Sequence, residues 1–347
     1  MRCRWLEDGG RTGGLALALR IGMIGVSGHV GYVWEALRHG ADATVVALAS
    51  GSVGEELAPL AAACRELGHQ PVCFDDCERL LDACRLDGVV VAPWFGDHAR
   101  IACAVLARGI PCFVEKPVAL TLAELAAVQA AQARAQTMLM PMLGLRYDPA
   151  MFTAWQTIRA GAIGAVRLIT AQKSYRLGTR PAFYQQRATY GGTIPWVGSH
   201  AIDWMLWLSG KQPRSVHASH SCQHNREHGA MESSALCHFV LEDEVLAGIA
   251  LDYLRPSSAP SHGDDRVRVV GTDGILEVRN NRLYLLSDQA GGERELPLEN
   301  PGRIFDDFLG AIRGERQPLC NHEDAFRVTQ ACLFARQSAD EGRTVCW

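Results

Sequence analysis

The chain has 347 residues, a length typical of two domains, and its 48% hydrophobic and 21% charged residues are typical of a globular protein with a sizeable core. The 34 basic and 38 acidic side chains give a formal net charge of −4, which argues against a nucleic-acid partner. No apolar stretch approaches the ~18 residues that a membrane span needs, so we expect no membrane partner.

Residues 1–19 lack the apolar core and the cleavage site of a secretory signal, since only Leu15–Leu19 is continuously apolar. The glycine-rich stretch Gly9–Gly14 is typical of a disordered leader or a misassigned start. Twelve cysteines without a Cys-x-x-Cys pair indicate free thiols, many in apolar surroundings such as Cys73 and Cys112, rather than a disulfide scaffold. We therefore expect a cytoplasmic protein whose first domain begins at residue 20.

Residues 20–140 alternate short β-branched runs with longer segments rich in Ala and Leu. The predicted strands are Ile21–Val26, Thr44–Ala49, Val72–Phe74, Gly88–Ala92 and Cys112–Val114. A helix is predicted after each strand, and the helix after the last one begins at a capping box of Thr121 and Glu124. Strands that alternate with helices at this spacing predict βαβ units and an α/β domain with a doubly wound parallel sheet.

Residues 141–347 follow a different pattern, in which strands succeed one another with few helices between them. The predicted strands are Val166–Gln172, Val216–Ala218, Leu236–Val240, Val245–Leu251, Val267–Val270 and Ile275–Val278. The predicted helices run from Pro149 to Gly161, over Phe305–Ile312 and over Glu323–Ser338. This pattern predicts an α+β domain with a large open, mainly antiparallel sheet, with C-terminal helices that can pack back on the first domain.

A glycine-rich turn joins the first predicted strand to the first helix. Gly25 and Gly28 stand in it, with Ser27 at the position of the second glycine in the dinucleotide fingerprint G-x-G-x-x-G. His29 and Val30 then lead into a helix, whose N-terminal N–H groups and dipole suit a pyrophosphate. The strand, turn and helix together predict a dinucleotide site, with an ordinary tight turn as the alternative.

The end of the second strand bears on the choice of cofactor. An acidic residue there usually binds the ribose 2′-hydroxyl of NAD, but the sequence reads Ser50-Gly51-Ser52 with no carboxylate before Glu55. The absence of an acidic residue at Ser50 favours NADP, although no Lys or Arg stands in this loop to pair with a 2′-phosphate. The cofactor is therefore predicted to be NAD or NADP, with NADP favoured.

Two further segments follow strands of the first domain, Val89–Pro93 with His98 and then Val114–Pro117. With the glycine turn, they resemble the glucose–fructose oxidoreductase / inositol dehydrogenase family of NAD(P)-dependent enzymes. The resemblance continues through Arg146–Pro149, Gly161–Gly164, Gly191-Gly192, Gly198–Asp203 and Val270–Gly274. It implies a Rossmann domain followed by a domain whose open sheet forms the substrate pocket. It also implies hydride transfer to or from a sugar, cyclitol or related polyol, and homodimers or homotetramers built on the open sheet.

The resemblance assigns roles to individual residues. It places Lys116, just past the carboxyl end of a strand, at the nicotinamide and the substrate hydroxyl, where a cation stabilises alkoxide character. It makes His200 the catalytic histidine of Gly-x-His-x-x-Asp, with an ordinary pKa suited to proton exchange, and lets Asp203 orient it. The further cofactor contacts that it implies are Ala92, Pro93, Trp94, His98, Glu115 and Arg146.

The substrate pocket that the resemblance implies has further members. The side chains on segments that face it in the family are Tyr147, Tyr175, Arg176 and Tyr190, and packing is the alternative for each. Trp196 stands where many family members have the aspartate of a Lys–Asp–His set, and an indole cannot relay a proton. Either Lys116 and His200 suffice, or the chemistry differs, or redox activity is lost; Trp196 could also stack on a sugar ring.

Two other functions are compatible with the same scaffold. One is a non-catalytic NAD(P)-binding sensor, for which the tryptophan at position 196 is the best support. The other is an NAD-dependent glycosidase that oxidises C3 of a glycoside transiently and keeps its cofactor tightly bound. No metal is expected, because the His- and Cys-containing segment 217–228 reads as a strand running into a loop, on which ligands do not converge.

Overall fold

The structure, a computed structural model, describes residues 18–347, and the first part of them forms a six-stranded parallel sheet. Its strands are β1 (Leu19–Ile24), β2 (Ala43–Ala49), β3 (Val72–Phe74), β4 (Gly88–Val91), β5 (Cys112–Val114) and β6 (Leu139–Pro141). They lie in the order β3-β2-β1-β4-β5-β6, so the strand order reverses between β1 and β4. Doubly wound sheets bind dinucleotides at this reversal, and the predicted Rossmann fold is confirmed.

The helices of this domain lie on both faces of the sheet, which explains why β4 is apolar and buried along its whole length. They are α1 (Gly31–Arg38), α2 (Ala58–Glu66), α3 (Cys77–Ala83), α4 (His98–Ala107) and α5 (Leu122–Ala135). The capping box of Thr121 and Glu124 begins α5 as predicted. Asp76 caps α3 by accepting a hydrogen bond from the Arg79 N–H.

The second sheet has nine strands, in the order β14-β13-β12-β11-β7-β10-β9-β8-β15. Its strands are β7 (Val166–Tyr175), β8 (Pro213–Ser221), β9 (Ser234–Leu241), β10 (Leu246–Asp252), β11 (Gly263–Gly271), β12 (Gly274–Arg279), β13 (Arg282–Ser287), β14 (Gly292–Leu296) and β15 (Val345–Cys346). Every neighbouring pair is antiparallel except β7 and β10, which are parallel. The mainly antiparallel α+β domain is thus confirmed.

Helices α8 and α10 cover one face of the nine-stranded sheet and leave the other face open, so buried and exposed residues alternate along β9. The helices of this domain are α6 (Pro149–Arg159), α7 (Arg187–Tyr190), α8 (Ser199–Ser209), α9 (Ile304–Ile312) and α10 (His322–Glu341). Among residues 18–347, no helix is both long enough and apolar enough to cross a membrane.

The strand bounds differ slightly from the domain boundaries that the sequence predicted. The boundary expected at residue 140 falls inside β6, which continues to Pro141, and β1 already begins at Leu19. The rest of the expected leader, residues 1–17, lies outside the described residues. The C-terminal helices contact the first domain: Phe308 packs on Phe113 of β5 with ring centroids 5.2 Å apart, and Arg336 donates to the Leu120 carbonyl (2.7 Å).

The cysteines of residues 18–347 all have free thiols. Cys112 is buried in β5 as expected for a small apolar side chain. Cys73 is exposed, because β3 is the edge strand of its sheet, and the apolar environment expected for it is therefore wrong.

Candidate active site

The turn after β1 requires glycine at a point of close approach. Gly25 has a φ of 88°, and a Cβ added there would lie 2.2 Å from the backbone nitrogen of Pro93. The turn thereby packs directly on the segment after β4, where the Ser27 N–H donates to the Ala92 carbonyl (2.7 Å). No side chain caps the start of α1 at Val30, so the N–H groups of Val30 and Gly31 are available to an anion, whereas that of His29 donates to the Glu115 carboxylate.

The segments after β2 and β4 lie side by side at the same edge of the sheet. A Cβ added to Gly51 would lie 2.5 Å from the Cβ of Pro93, and the Trp94 N–H donates to the Ser52 hydroxyl (2.9 Å). The Ser50 hydroxyl donates to the Asp75 carbonyl (3.3 Å). These predicted cofactor residues therefore form one continuous wall beside the glycine turn.

Glu55 belongs to this wall, although the sequence analysis did not assign it. Its carboxylate accepts hydrogen bonds from the N–H groups of Val26 (2.9 Å), Gly51 (2.9 Å) and Ser52 (3.2 Å). Burial raises the pKa of Glu55, and these backbone hydrogen bonds oppose the rise. The turn after β2 folds Glu55 back onto the strand end. A carboxylate therefore lies at the end of β2, although the sequence has no acidic residue at Ser50.

Glu115 follows β5 and is completely buried. Its carboxylate accepts from the N–H of His29, pairs with the His29 Nδ1 (2.9 Å) and accepts from the N–H of Lys116 (2.8 Å). Burial raises the pKa of Glu115, but the charges and hydrogen bonds of His29 and Lys116 outweigh it, so the pKa lies below its ordinary value. The buried carboxylate therefore stays ionised and fixes both neighbours.

Lys116 is almost fully buried, with its amine against Trp196. The Lys116 Nζ donates to the Trp196 carbonyl (2.6 Å) and lies 3.6 Å from the centroid of the Trp196 ring. Burial lowers the pKa of Lys116 to about 7, and the nearby Glu115 carboxylate opposes this. Near neutral pH the amine therefore exists in both protonation states, as a proton-transfer group requires.

His200 lies in the first turn of α8 and is also buried. Burial, and then the positive charges of Lys116 and Lys173, lower the pKa of His200 well below its ordinary value. Its ring meets the His29 ring edge to face, with centroids 5.3 Å apart. The imidazole is therefore neutral at physiological pH and can accept or donate one hydrogen bond.

Trp196 lies in a short π-helical segment, Ile194–Gly198, just before α8. Its ring stacks on Phe95, with centroids 4.1 Å apart, and is also covered by the Lys116 amine. Its carbonyl accepts from the hydroxyl of Ser199 (2.8 Å) as well as from Lys116. Trp196 therefore fixes the lysine through its ring and its backbone; stacking on a substrate stays a prediction.

A cavity of about 220 Å³ joins these groups. Five residues predicted from the sequence line it: His29, Lys116, Tyr175, Trp196 and His200. Four that the sequence analysis missed complete its wall: Arg180, Val197, Tyr253 and His262. An amine from the first domain and an imidazole from the second thus face one cavity.

His262 reaches the cavity through β11, which pairs with β7 with Gly263 opposite Tyr175. Tyr253 reaches it through β10, the parallel neighbour of β7 on the other side, with Ser174 opposite Asp252. Tyr175 and Tyr253 follow directly, so their rings approach to 6.5 Å between centroids. The sequence offered a signal, an aromatic residue at the end of each of two strands. It could not be used without the pairing, because two other strands separate β7 from β10 along the chain. Arg176 lies outside the cavity wall, and its backbone pairs with Leu254.

Arg146 and Asp203 do not belong to the cavity, which corrects two sequence assignments. The Arg146 Nε and Nη2 donate to the Asp203 carboxylate (2.6–3.1 Å), and both side chains are 2% exposed. Arg146 also donates to Asp324 (3.0 Å) and to the Leu319 carbonyl (2.8 Å). With its donors so engaged, Arg146 is not free to bind a cofactor, and Asp203 orients Arg146 rather than His200.

Three other predicted residues also lie behind the cavity wall. Tyr147 donates its hydroxyl to Asp307 (2.7 Å), so its assignment to the substrate is corrected. Tyr190 is buried with its hydroxyl 3.2 Å from that of Tyr253, so it supports a cavity residue without lining the cavity itself. His98 is buried, with one ring nitrogen 2.7 Å from the Pro117 carbonyl and the other 3.2 Å from the Pro93 carbonyl, so it packs between the two cofactor segments.

The described residues contain no group of three or more His, Cys, Asp or Glu side chains arranged to hold a metal. The segment 217–228 begins on β8 and continues into the loop that leads to β9.

The chain is similar to known proteins over both domains. The pattern of the oxidoreductase family with an NAD-binding Rossmann fold matches residues 19–143, and that of the GFO/IDH/MocA C-terminal domain matches residues 151–277. D-apiose dehydrogenase of Paraburkholderia graminis is 34% identical over 291 residues, which are 78% of this chain and 76% of that protein.

Two further relatives extend the comparison. The rhizopine catabolism protein MocA of Rhizobium meliloti is 28% identical over 203 residues, 58% of this chain and 61% of that protein. The alignment thus spans less than two thirds of MocA. The solved structure of a Thermotoga maritima protein assigned as an oxidoreductase has a TM-score of 0.90 and is 43% identical in sequence. The match covers 95% of this chain and 100% of that chain.

Proposed function

We propose that this chain, which belongs to the GFO/IDH/MocA family of NAD-binding oxidoreductases, transfers a hydride between a nicotinamide and a hydroxyl- or carbonyl-bearing carbon of a sugar, cyclitol or related polyol. The observation that carries the proposal is the shared cavity of Lys116 and His200, at the carboxyl edge of the Rossmann sheet. Relatives named D-apiose dehydrogenase and inositol 2-dehydrogenase support the substrate class.

The residues at this edge fit a nicotinamide dinucleotide. The tight turn at Gly25 and the uncapped start of α1 suit a pyrophosphate, and Ala92, Pro93 and Gly51 would border the rest of the molecule. When bound, the nicotinamide supplies the hydride acceptor or donor. The protein's own part is to bind both reactants, exclude water and move one proton.

Lys116 would carry that proton. In the oxidation direction the neutral amine at Nζ takes the proton of the substrate hydroxyl as the carbon loses its hydride; in the reduction direction the ammonium returns it. The Trp196 carbonyl and ring hold Nζ in place for both steps. His200, neutral because it is buried among positive charges, would accept or donate a hydrogen bond at the same oxygen.

The direct test is turnover by the wild-type protein. We expect NADH to form from NAD when the protein meets members of a panel of sugars, cyclitols and their oxidised or phosphorylated forms, measured by NADH absorbance. Saturable NADH binding without turnover of any member would favour the sensor instead. NADH that co-purifies and exchanges only slowly, with release of an aglycone from glycosides, would favour the glycosidase.

The preferred cofactor is proposed to be NAD, although the serine at position 50 alone favours NADP. The Glu55 carboxylate at the end of β2 would repel a 2′-phosphate and can accept from a 2′-hydroxyl. Arg100, which donates to the Gly51 carbonyl (2.9 Å), is paired with Asp97 (2.8 Å) and so is not free for a phosphate.

Glu55→Gln is therefore expected to reduce the preference for NADH over NADPH about tenfold, equivalent to about 1.4 kcal/mol, because the amide removes the repulsion. The measurement is the Kd of each nucleotide by fluorescence titration. The matched control is Glu56→Gln, which removes the same charge from an exposed neighbour. An equal preference in wild type and Glu55→Gln would contradict the assignment.

The open face of the nine-stranded sheet is proposed to join copies of this chain. An apolar row crosses it through successive cross-strand pairs, Leu286–Ile275, Ile275–Val270, Val270–Leu168, Leu168–Leu246 and Leu246–Val240. Leu246 and Leu286 are each 42% exposed, so this row lies open in a single chain. Exposed contiguous apolar surface of this kind is typical of an interface between subunits.

Leu246→Lys is expected to convert a dimer or tetramer into monomers, because a buried unpaired charge would oppose association. Sedimentation velocity measures the mass. Leu298→Lys is the control, since Leu298 has the same exposure (41%) but lies outside the strands of the sheet. A wild-type monomer, or a Leu246→Lys protein of unchanged mass, would contradict the proposal.

A further inference from the structure

The side chains that line the cavity are unusual for a site that binds a neutral polyol. Five of its lining side chains are basic, and none carries a carboxylate. The basic ones are His29, Lys116, Arg180, His200 and His262. A neutral sugar is commonly held by carboxylates and amides that accept from its hydroxyl groups, and this wall offers donors instead.

Glu115 and Asp265 are carboxylates behind this wall, and each is paired with a basic side chain. Glu115 accepts from His29 and from the Lys116 N–H (2.8 Å), as described above. Asp265 pairs with the fully buried Lys173, whose Nζ lies 2.5 Å from its Oδ2. Glu115 therefore offsets the charge of Lys116, and Asp265 offsets that of Lys173, whereas the Arg180 guanidinium has no carboxylate partner within residues 18–347.

Arg180 is the group with the clearest unused capacity. Within residues 18–347 Arg180 takes part in no salt bridge, and its Nε is buried without a hydrogen-bond partner. One Nη donates weakly to the Arg176 carbonyl (3.4 Å), while the guanidinium carbon lies 5.0 Å from the centroid of the Tyr253 ring. A guanidinium held by aromatic rings with free donors is a ready partner for a carboxylate or phosphate.

The positive charge of Arg180 also acts on His262. Its ring stacks on Tyr175, with centroids 5.2 Å apart. Burial, and then the charges of Arg180 and Arg176, lower the pKa of His262 below its ordinary value. An anion in the cavity would relieve this repulsion.

The two ends of the cavity differ in their exposure to solvent. Lys116 and His200 are buried at its inner end, whereas Arg180 is half-exposed and His262 is exposed. A small substrate would therefore place its reacting hydroxyl inside and its other end at the arginine.

We propose that the substrate is an anionic polyol whose carboxylate or phosphate is bound by Arg180, with its reacting hydroxyl at Lys116 and His200. This inference rests on the proposed function and narrows it to acidic members of the sugar and cyclitol class. The planar guanidinium recognises both oxyanions with paired hydrogen bonds, so the test includes both.

The test is isothermal titration of the NADH-saturated protein with matched ligands. The sets are D-glucose with D-glucuronate, D-galactose with D-galacturonate, and the corresponding hexose phosphates. We expect at least one anionic member to bind about 10- to 100-fold more tightly than its neutral parent, the range of a hydrogen bond to a charged group. Preference for the acid or for the phosphate identifies which anion the site takes.

Arg180→Gln should abolish this difference and leave the Kd of NADH unchanged. Arg255→Gln is the matched control, because it removes an arginine of the same region that is paired with Asp264 and does not line the cavity. The inference is overturned if neutral parents bind as tightly as their anions, if no anion binds, or if Arg180→Gln keeps the preference. A failure of NADH itself to bind is seen before any sugar is added and would contradict the proposed function instead.

Discussion

Lys116→Met is expected to lower kcat by about a thousandfold or more, while the Kd of NADH changes little. The thioether side chain can fill much of the space of the lysine but cannot move a proton, and general acid–base catalysis typically contributes 10²- to 10⁴-fold, that is, about a thousandfold. Stopped-flow or steady-state NADH absorbance gives kcat, and fluorescence titration gives the Kd. An unchanged kcat would refute the role of Lys116.

The pH profile makes the same prediction sharper. Burial lowers the pKa of Lys116 to about 7, so the neutral amine that accepts the proton in oxidation becomes populated as pH rises through this value. Oxidation should therefore accelerate from acidic pH to a plateau above about pH 7, and reduction, which needs the ammonium, should decline over the same range.

Lys116→Arg is the informative control, because a guanidinium keeps the positive charge but does not deprotonate in this range. We expect it to be as inactive as Lys116→Met in oxidation. If Lys116→Arg retained oxidation with the wild-type pH profile, the titrating group would lie elsewhere and charge alone would explain the lysine.

Trp196 explains why this lysine can titrate near neutrality. An aspartate at this position would place a second carboxylate near the amine and raise the pKa of Lys116. Here Lys116 meets a backbone carbonyl and an aromatic ring, and Glu115 is the carboxylate whose charge opposes the effect of burial. The tryptophan at position 196 is thus compatible with proton transfer by Lys116. Burial, and not a neighbouring aspartate, sets the pKa of this lysine.

The fold could be predicted from sequence because its signals are local. The strand, glycine turn and helix at residues 19–38 lie within one short segment, and the capping box at Thr121 fixes a helix start by itself. The sequence predicted that the second sheet is mainly antiparallel, but it did not predict all of the strands in that sheet. Strand β13 was missed because Leu285 and Leu286 interrupt the alternation of polar and apolar residues in its sequence, although burial alternates along it. Strand β14 was also missed, and β15 is only two residues long.

The site could be predicted only where a residue sits next to a recognisable motif. Lys116 and His200 are of this kind. Glu55 was missed because it comes several residues after β2 in the sequence, whereas its carboxylate lies at the end of that strand in the structure. His262 and Tyr253 were missed because they reach Tyr175 through the two strands that pair with β7, which are β11 and β10, and no local pattern reveals this pairing. Arg180 was missed because it lies in the loop after β7, outside any recognisable motif.

Asp203→Ala is expected to lower the free energy of unfolding by about 3–5 kcal/mol, because it leaves a buried guanidinium without its principal partner. The pair that it breaks joins Arg146, just after the first domain, to α8, with two nitrogens of the arginine donating to one carboxylate. Urea denaturation measures the loss as a lower midpoint at an unchanged slope.

The double variant Arg146→Met with Asp203→Leu separates structure from catalysis. Replacing both charges by apolar side chains removes the unpaired group, so we expect it to recover much of the lost stability, as buried ion pairs replaced by well-packed apolar residues often do. If Asp203 oriented His200, the double variant would instead be stable but slow, with kcat reduced as much as in Asp203→Ala at temperatures where both are folded. Because the Asp203 carboxylate pairs with Arg146, which also pairs with Asp324, we expect kcat to follow the folded fraction in both variants. The aspartate of Gly-x-His-x-x-Asp would then be a structural brace within the second domain.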